Sequence, residues 1–532
     1  MCEWYGATTL AYNYERSFHN RRLGAALFGG DGILRFAGSQ VADRQSDELI
    51  ADFFGLSSAF RGNIAFAPRI QNHIVDASWY IGLDNWKQGS WMRLQTAFAH
   101  TSYELNYVCG CDTSVTTSAA NGAFTSCEVE DAAAATILTG TPSACDLIVE
   151  ALDGSGLFGD MQTAWTSGKF HFGKRHVNAL ADIDVDLGYN FKNKECYSLG
   201  IYAKAVIPTS HKPNSEYVFT IPGGNGGHFE LGGGLTAHKQ LWTSKCSGAN
   251  FAFYFDGYVT HMFKNTQCRL FDFCDNGAYS RYLLLKEFDS NGADYIYNGH
   301  LARATEFNNR KVNVSVGARS ELAFKFAWRS DKITSKCGIW GIDFGYNLSA
   351  QTAEKISWLC DSCTNTTTRY GIQGLNGVCC NSYVTNATEI TTGPTTSRVD
   401  NTLDNASMYT PIYQGNGTIP QSSTVCLAWN STVPANPTLF TDATRDNGYY
   451  IITDQTPTIL DGSTSAIFDL DSAASPASLN SRIFIHTNYA WNDECGWNPQ
   501  IGIGGEAQFA SRNCERFGVN MWGVWIKGGV TF

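Results

Sequence analysis

The sequence is short of charge and of proline, and it contains no long apolar run. Only 16% of its 532 residues are charged, against roughly a quarter in ordinary soluble domains. Its 13 prolines are scattered, and no Pro-rich or charged linker divides the chain, so a single unit over 1–532 is the expected organisation. No stretch of about 18 apolar residues exists, which excludes transmembrane helices. The formal net charge is −11 with no basic stripe, so a nucleic-acid partner is not expected.

Catalytic motifs are missing too. The eleven histidines form no HExxH, and there is no GxSxG, P-loop or strand-linked GxGxxG. The chain is therefore expected to be no enzyme and to use no cofactor. Gly223 to Gly234 precede no helical pattern and suit a tight loop followed by a strand, not a phosphate cradle. Met1 is followed by Cys2, Glu3 and Trp4 in place of a basic and then an apolar region, so no signal peptide is expected at this point.

What the chain does have is 13% aromatic residues, 52 glycines and long two-residue alternation. From Lys311 to Arg329 one face carries Val312, Val314, Val316, Leu322, Phe324, Phe326 and Trp328; the other carries Asn313, Arg319, Glu321, Lys325 and Arg329. Val75, Ala77, Trp79 and Ile81 alternate with Asp76, Ser78 and Tyr80, and Met92, Leu94 and Phe98 with Arg93 and Gln95. Ile183, Val185, Leu187 and Tyr189 oppose Asp182, Asp184 and Asp186, and Leu199, Ile201 and Ile207 oppose Lys204. The closing strand sets Trp522, Val524, Ile526, Val530 and Phe532 against Trp525 and Lys527.

Such runs exceed the five or six residues of an average soluble strand and reach the 9–11 that a tilted strand needs to cross a bilayer. Aromatics close many of the apolar faces, as an interfacial girdle requires. The expected fold class is all-β: a transmembrane antiparallel barrel of about 16 strands, within roughly 14 to 18, with long extracellular loops and short periplasmic turns. The spans 62–83, 166–191, 213–221 and 278–287 are counted among its strands. Val314, Phe324, Phe326, Trp328, Val530 and Phe532 are the expected lipid-facing residues.

Two stretches break the pattern. Residues 109–165 form one long loop, and 351–479, rich in Thr, Asn, Ser and Gly, form an extracellular loop region; one of them is expected to fold inward and narrow the pore. Residues 47–56 (DELIADFFGL) read as a short helix at the rim or in the lumen, its acids complementing the helix dipole.

Seventeen cysteines suit an exported, oxidising setting. Cys109, Cys111, Cys127, Cys145, Cys268, Cys274, Cys360, Cys363, Cys379 and Cys380 are the disulfide candidates, with local bridges expected within 109–145, between Cys268 and Cys274, and within 360–380. Cys360 and Cys363 form a CxxC, but Cys379 and Cys380 are adjacent and do not repeat that spacing, so no metal site is expected.

The expected pore-lining charges are Asp76, Arg93, Asp182, Asp184, Asp186, Lys204, Arg319, Glu321, Lys325, Arg329 and Lys527. Set on opposite walls, they would create a transverse field acting on ions and polar solutes. The bland alternative for each is an ion pair with a neighbouring strand that only stiffens the wall.

The strand pattern, the loop cysteines, the stretches 68–84 and 468–491 and the closing Trp525-Ile526-Lys527-Gly528-Gly529-Val530-Thr531-Phe532 resemble the outer-membrane porins of Gram-negative bacteria. Within these the chain looks most like the cysteine-rich major outer membrane proteins of intracellular or protist-associated bacteria such as chlamydiae and legionellae. The resemblance implies an outer-membrane location with surface-exposed loops, contact with lipid and lipopolysaccharide, insertion by the barrel-assembly machinery, homo-oligomers such as trimers, and passive diffusion of ions and small hydrophilic solutes. Two other readings stay open: a plugged barrel acting as a disulfide-stabilised structural surface protein, and a soluble all-β adhesin or glycan-binding protein.

Overall fold

The computed structural model describes residues 5–38, 41, 43–57, 60–110, 144–159, 161–194, 196–245, 248–291, 294–330, 338–359, 369–373, 384–385, 389–390, 407–409, 460, 467–491, 497–511 and 518–532. Twelve long strands of this set close into a barrel: β1 Gly6–Ser17, β2 Arg69–Gly82, β3 Ser90–Glu104, β4 Ile183–Lys194, β5 Tyr197–Ile207, β6 Glu230–Thr243, β7 Asn250–Leu270, β8 Asn309–Arg329, β9 Gly338–Gln351, β10 Ser478–Trp491, β11 Asn498–Ala510 and β12 Met521–Thr531. Each pairs antiparallel with the next in the chain, and β1 pairs with β12 from Ala7↔Thr531 to Ser17↔Met521, which removes the free edges.

The expectation of about 16 strands is corrected to twelve. Alternation cannot tell which sheet a strand joins. Arg61–Phe66, which overlaps the start of the span 62–83, lies in a separate four-stranded sheet with Ile33–Ala37, Glu48–Ile50 and Tyr107–Gly110. The span 278–287 holds a 3-10 turn and the start of Leu284–Asn291, which belongs to a three-stranded sheet with Asp294–Arg303 and Arg369–Ile372. The span 213–221 contains no strand.

The connections differ sharply between the two ends. At one end they are 83–89, 195–196, 244–249, 330–337 and 492–497; at the other, 18–68, 105–182, 208–229, 271–308, 352–477 and 511–520. Gly89, at φ +90°, lets the first short turn close. The long connections build a second packed body over the barrel mouth. Its core holds Phe36, Phe53, Phe54, Phe60, Phe271, Leu283, Leu284 and Leu285, all nearly or fully buried. Arg303 is sealed inside this body, with its guanidinium over the rings of Phe54, Phe158 and Trp165 and its Nη1 donating to the carbonyls of Phe53 and Tyr282.

The stretch 47–56 contributes a strand, Glu48–Ile50, and one 3-10 turn, Ala51–Phe54, packed within that core. Among the described residues one disulfide, Cys109–Cys145, joins the sheet edge Tyr107–Gly110 to the helix Ala144–Asp153 with a Cα separation of 5.6 Å. The expected Cys268–Cys274 bridge is absent: both are free thiols, since β7 holds Cys268 opposite Lys311 while Cys274 lies past a further strand, Asp272–Phe273. Cys111, Cys127, Cys360, Cys363, Cys379 and Cys380 lie outside the described residues.

Candidate functional site

The register divides each barrel strand into two faces. Pointing outward and exposed are Leu10, Val75, Phe98, Leu187, Ile201, Leu235, Val259, Phe326, Phe344, Ile485, Ile503 and Ile526, one from each strand in turn. They line up across strand pairs: Tyr12 sits opposite both Val75 and Ile526, Val75 opposite Phe98, Phe326 opposite Phe344, Phe344 opposite Ile485, and Ile503 opposite Ile526. Soluble proteins rarely show contiguous apolar patches above a few hundred Å², whereas this belt encircles the molecule. At its short-turn edge Tyr5, Trp86, Trp242, Trp328, Trp340, Trp491, Trp497 and Phe532 are exposed, the girdle that a membrane–water boundary favours.

The sequence-derived outer residues fall as follows. Phe326, Trp328 and Phe532 are exposed, and Phe324 and Val530 share their outward register half-covered by neighbours. Val314 is corrected: it is 0% exposed and packs in the core of the second body. The cause is length. At 21 residues β8 is about twice what a bilayer requires, and its first part, beside Glu354–Trp358, runs on beyond the apolar belt.

The alternate residues fill the interior. Arg93 Nε donates to Asp186 at 2.7 Å, and its Nη1 to Asp256 at 3.1 Å. Lys204 donates to Asp184 at 2.5 Å and reaches Asp186 at 3.4 Å, while the Tyr202 hydroxyl donates to Asp256 at 2.7 Å. Arg319 pairs with Glu230 at 3.1 Å, and Glu321 accepts from Tyr258 at 2.9 Å and from Asn347. Arg329 and Lys325 both face Asp343, at 2.5 and 3.8 Å, with His486 at 3.5 Å. Every charge in this web thus has a partner, and Asp186 is fully buried. Asp184, Asp186, Lys204, Lys325 and Arg329 pair with neighbouring strands, Arg319 pairs two strands away with Glu230, Arg93 pairs both with the neighbouring Asp186 and across the interior with Asp256, and Glu321 is held by hydrogen bonds alone.

Asp76, Asp182 and Lys527 face open space, as Asp184 and Arg319 also do. A cavity of about 490 Å³ is lined by Asn13, Glu15, Asp76, Gln95, Asp182, Asp184, Arg482, Glu506, Trp525 and Lys527, among others. A second, about 400 Å³, shares Ala181, Asp182 and Asp184 with it and continues to Asn225, Tyr258, Arg319 and Asn480. Asp76 accepts from Asn13; Asp182 accepts from Ser210 at 3.0 Å and from the Asn225 backbone N–H at 2.7 Å. Asn225 also donates to Glu230 at 2.9 Å. Among the described residues the connection 208–229 reaches the barrel interior through Asn225 and Ser210; most of 109–165 and of 351–479, from which an inward loop was expected, lies outside the described residues.

Glu15, Asp256, Asp343, Arg482, Glu506 and Asn225 were missed in the sequence. For Asp256 and Asp343 the signal exists, since they alternate with the outward apolar residues of β7 and β9. Asn225 carries none, because its role depends on how a loop folds back.

No protein-family model and no curated protein matches the sequence. Solved structures with some likeness include an outer membrane channel from Pseudomonas putida F1, at 9% identity over 99% of this chain and 96% of that one with a TM-score of 0.32. A Pseudomonas aeruginosa FadL homologue follows, at 8% identity over 100% and 90% with a TM-score of 0.27. At such values the functional reading rests on the barrel's own geometry.

Proposed function

We propose that the chain is an integral outer-membrane channel, with its long-loop end outside the cell, through which ions and small hydrophilic solutes diffuse passively and cations are favoured. One observation carries this reading: a belt of exposed apolar side chains on all twelve strands encloses polar, charged space. In hydrocarbon every backbone polar group needs a partner, which a closed barrel supplies. In water the same belt would promote aggregation.

The preference for cations follows from the charges around the larger cavity. Glu15, Asp76, Asp182, Asp184 and Glu506 face Arg482 and Lys527. Two of the five acids are neutralised, Asp184 by Lys204 and Glu506 by Arg482. Three acids then stand against one cation, Lys527, and an acidic lining stabilises permeating cations.

Reconstitution in a planar bilayer tests the reading. Stepwise conductance whose reversal potential under a KCl gradient lies on the potassium side supports it. Silence would favour a barrel sealed by the Arg93–Asp256 contact, working as a structural surface protein. Release from membranes by salt alone would favour the soluble alternative.

A further inference from the structure

Two opposite charges on the wall of the larger cavity stand one strand apart without meeting. Asp76 on β2 and Lys527 on β12 are both register partners of Ala11 on β1, one on each side of it. All three residues line the cavity. Neighbouring strands lie about 4.8 Å apart, so the Asp76 and Lys527 backbones are separated by about 10 Å. Because the residue between them is an alanine, the space over β1 stays open to the lumen.

Neither charge is neutralised by an ion pair among the described residues. The Asn13 side-chain amide donates to the Asp76 carboxylate and holds it toward β1. Lys527 makes neither a hydrogen bond nor an ion pair with the described residues. The carboxylates close enough to act on it are Asp343 and Asp76. Asp343 is already shared by Arg329 at 2.5 Å and Lys325 at 3.8 Å, so Asp76 is the acid left to share a ligand with Lys527. The other cation of this cavity, Arg482, is occupied by Glu506 at 3.1 Å and Gln508 at 2.8 Å.

We propose that the gap over Ala11 is a subsite for zwitterionic solutes of the free amino-acid type, the ammonium group on Asp76, the carboxylate on Lys527, and the side chain in the rest of the cavity beside Ser78 and Gln95. The charges select this class. A simple cation is drawn to Asp76 but repelled by Lys527, a simple anion meets Asp76, Glu15 and Asp182, and an uncharged polyol leaves both groups unpaired. Two charge-assisted bonds of about 2.8 Å with an amino acid's head group between them span about 8–9 Å, a length that side chains rising from backbones about 10 Å apart can bracket. A cavity of about 490 Å³ lies within the roughly 300–1,000 Å³ of small-molecule sites. Such a subsite speeds passage at low concentration, provided that it also releases its solute readily. The proposal rests on the channel reading and specifies its solute.

The test is uptake of labelled L-serine and of labelled erythritol, an uncharged solute of similar size, into lipid vesicles carrying the full chain. At micromolar concentration the parent is expected to pass serine about threefold or more faster than erythritol, and Lys527→Met and Asp76→Asn should each bring that ratio to about one. The same two changes move the reversal potential under a KCl gradient in opposite directions, Lys527→Met toward stronger cation preference and Asp76→Asn toward weaker. A loss of serine preference common to both therefore cannot arise from the net charge of the lumen. Heat-modifiable gel mobility shows that each barrel has folded, and Lys527→Gln serves if Lys527→Met does not fold. A serine ratio that follows the reversal potential, rising in one variant and falling in the other, would overturn the proposal. Erythritol entry without any serine preference in the parent overturns the subsite alone, whereas entry of neither solute overturns the channel reading and the subsite with it.

Discussion

Arg93 Nη1 lies 3.1 Å from Asp256 Oδ2 although β3 and β7, which carry them, are separated around the barrel by β4, β5 and β6. In a round barrel of twelve strands, spaced about 4.8 Å apart and tilted roughly 40°, those two strands would sit about 20 Å apart. An arginine and an aspartate together do not reach so far. The cross-section is therefore flattened along this contact, and the bridge closes part of the lumen while the cavity beside Asp76 and Lys527 stays open.

Cutting the bridge should widen the passage. Asp256→Ala leaves Arg93 paired with Asp186, so the barrel folds, and single-channel recording is expected to show a unit conductance up to roughly twofold above the parent.

Lys204 holds two carboxylates, Asp184 and the fully buried Asp186. Lys204→Met leaves Asp186 to Arg93 alone and Asp184 unpaired beside the cavity, a loss of about 1–3 kcal/mol. The temperature at which the compact band converts to the unfolded band on gels should fall, and Lys204→Arg should restore much of it.

Selectivity should follow the acids that no cation neutralises. Asp76→Asn together with Glu15→Gln is expected to move the reversal potential under a KCl gradient toward zero. The unit conductance should change far less, because Asn and Gln keep the size of the cavity-lining residues they replace.

The belt and the second body should fail separately. Ile503→Lys places a charge on the outer wall and should cost roughly 2–4 kcal/mol if that position is near the midplane, read in refolding into lipid vesicles. Phe36→Ala removes a fully buried ring stacked edge-to-face on Phe54 at 5.2 Å and should cost about 3–5 kcal/mol. That loss should appear as protease sensitivity of the long connections while the heat-modifiable mobility of the barrel persists.

The two faces of most barrel strands were legible in the sequence because the period of two survives wherever one side is apolar and the other polar. Asp184 against Leu187 and Lys204 against Ile201 show it directly. The strand number was not legible, since Arg61–Phe66 and Leu284–Asn291 read locally like barrel strands but belong to other sheets. Val314 deceived for a related reason: it continues the alternation of β8 after that strand has left the belt and entered a protein core. Pairing across the lumen depends on the barrel's cross-section, so the sequence could propose Arg93 and Asp186 as lining charges but could not show that Asp256 bridges to Arg93. The inward loop depends on Asn225 meeting both Asp182 and Glu230, a contact that no spacing announces.

The most direct measurement is footprinting of the reconstituted chain with a bilayer-partitioned carbene reagent, read residue by residue by mass spectrometry. Labelling of Ile485, Ile503 and Ile526 with protection of Arg482, Glu506 and Lys527 is the expected result. The reverse pattern, or unlabelled belt residues in a chain that stays folded and monodisperse in buffer without detergent, would contradict the account.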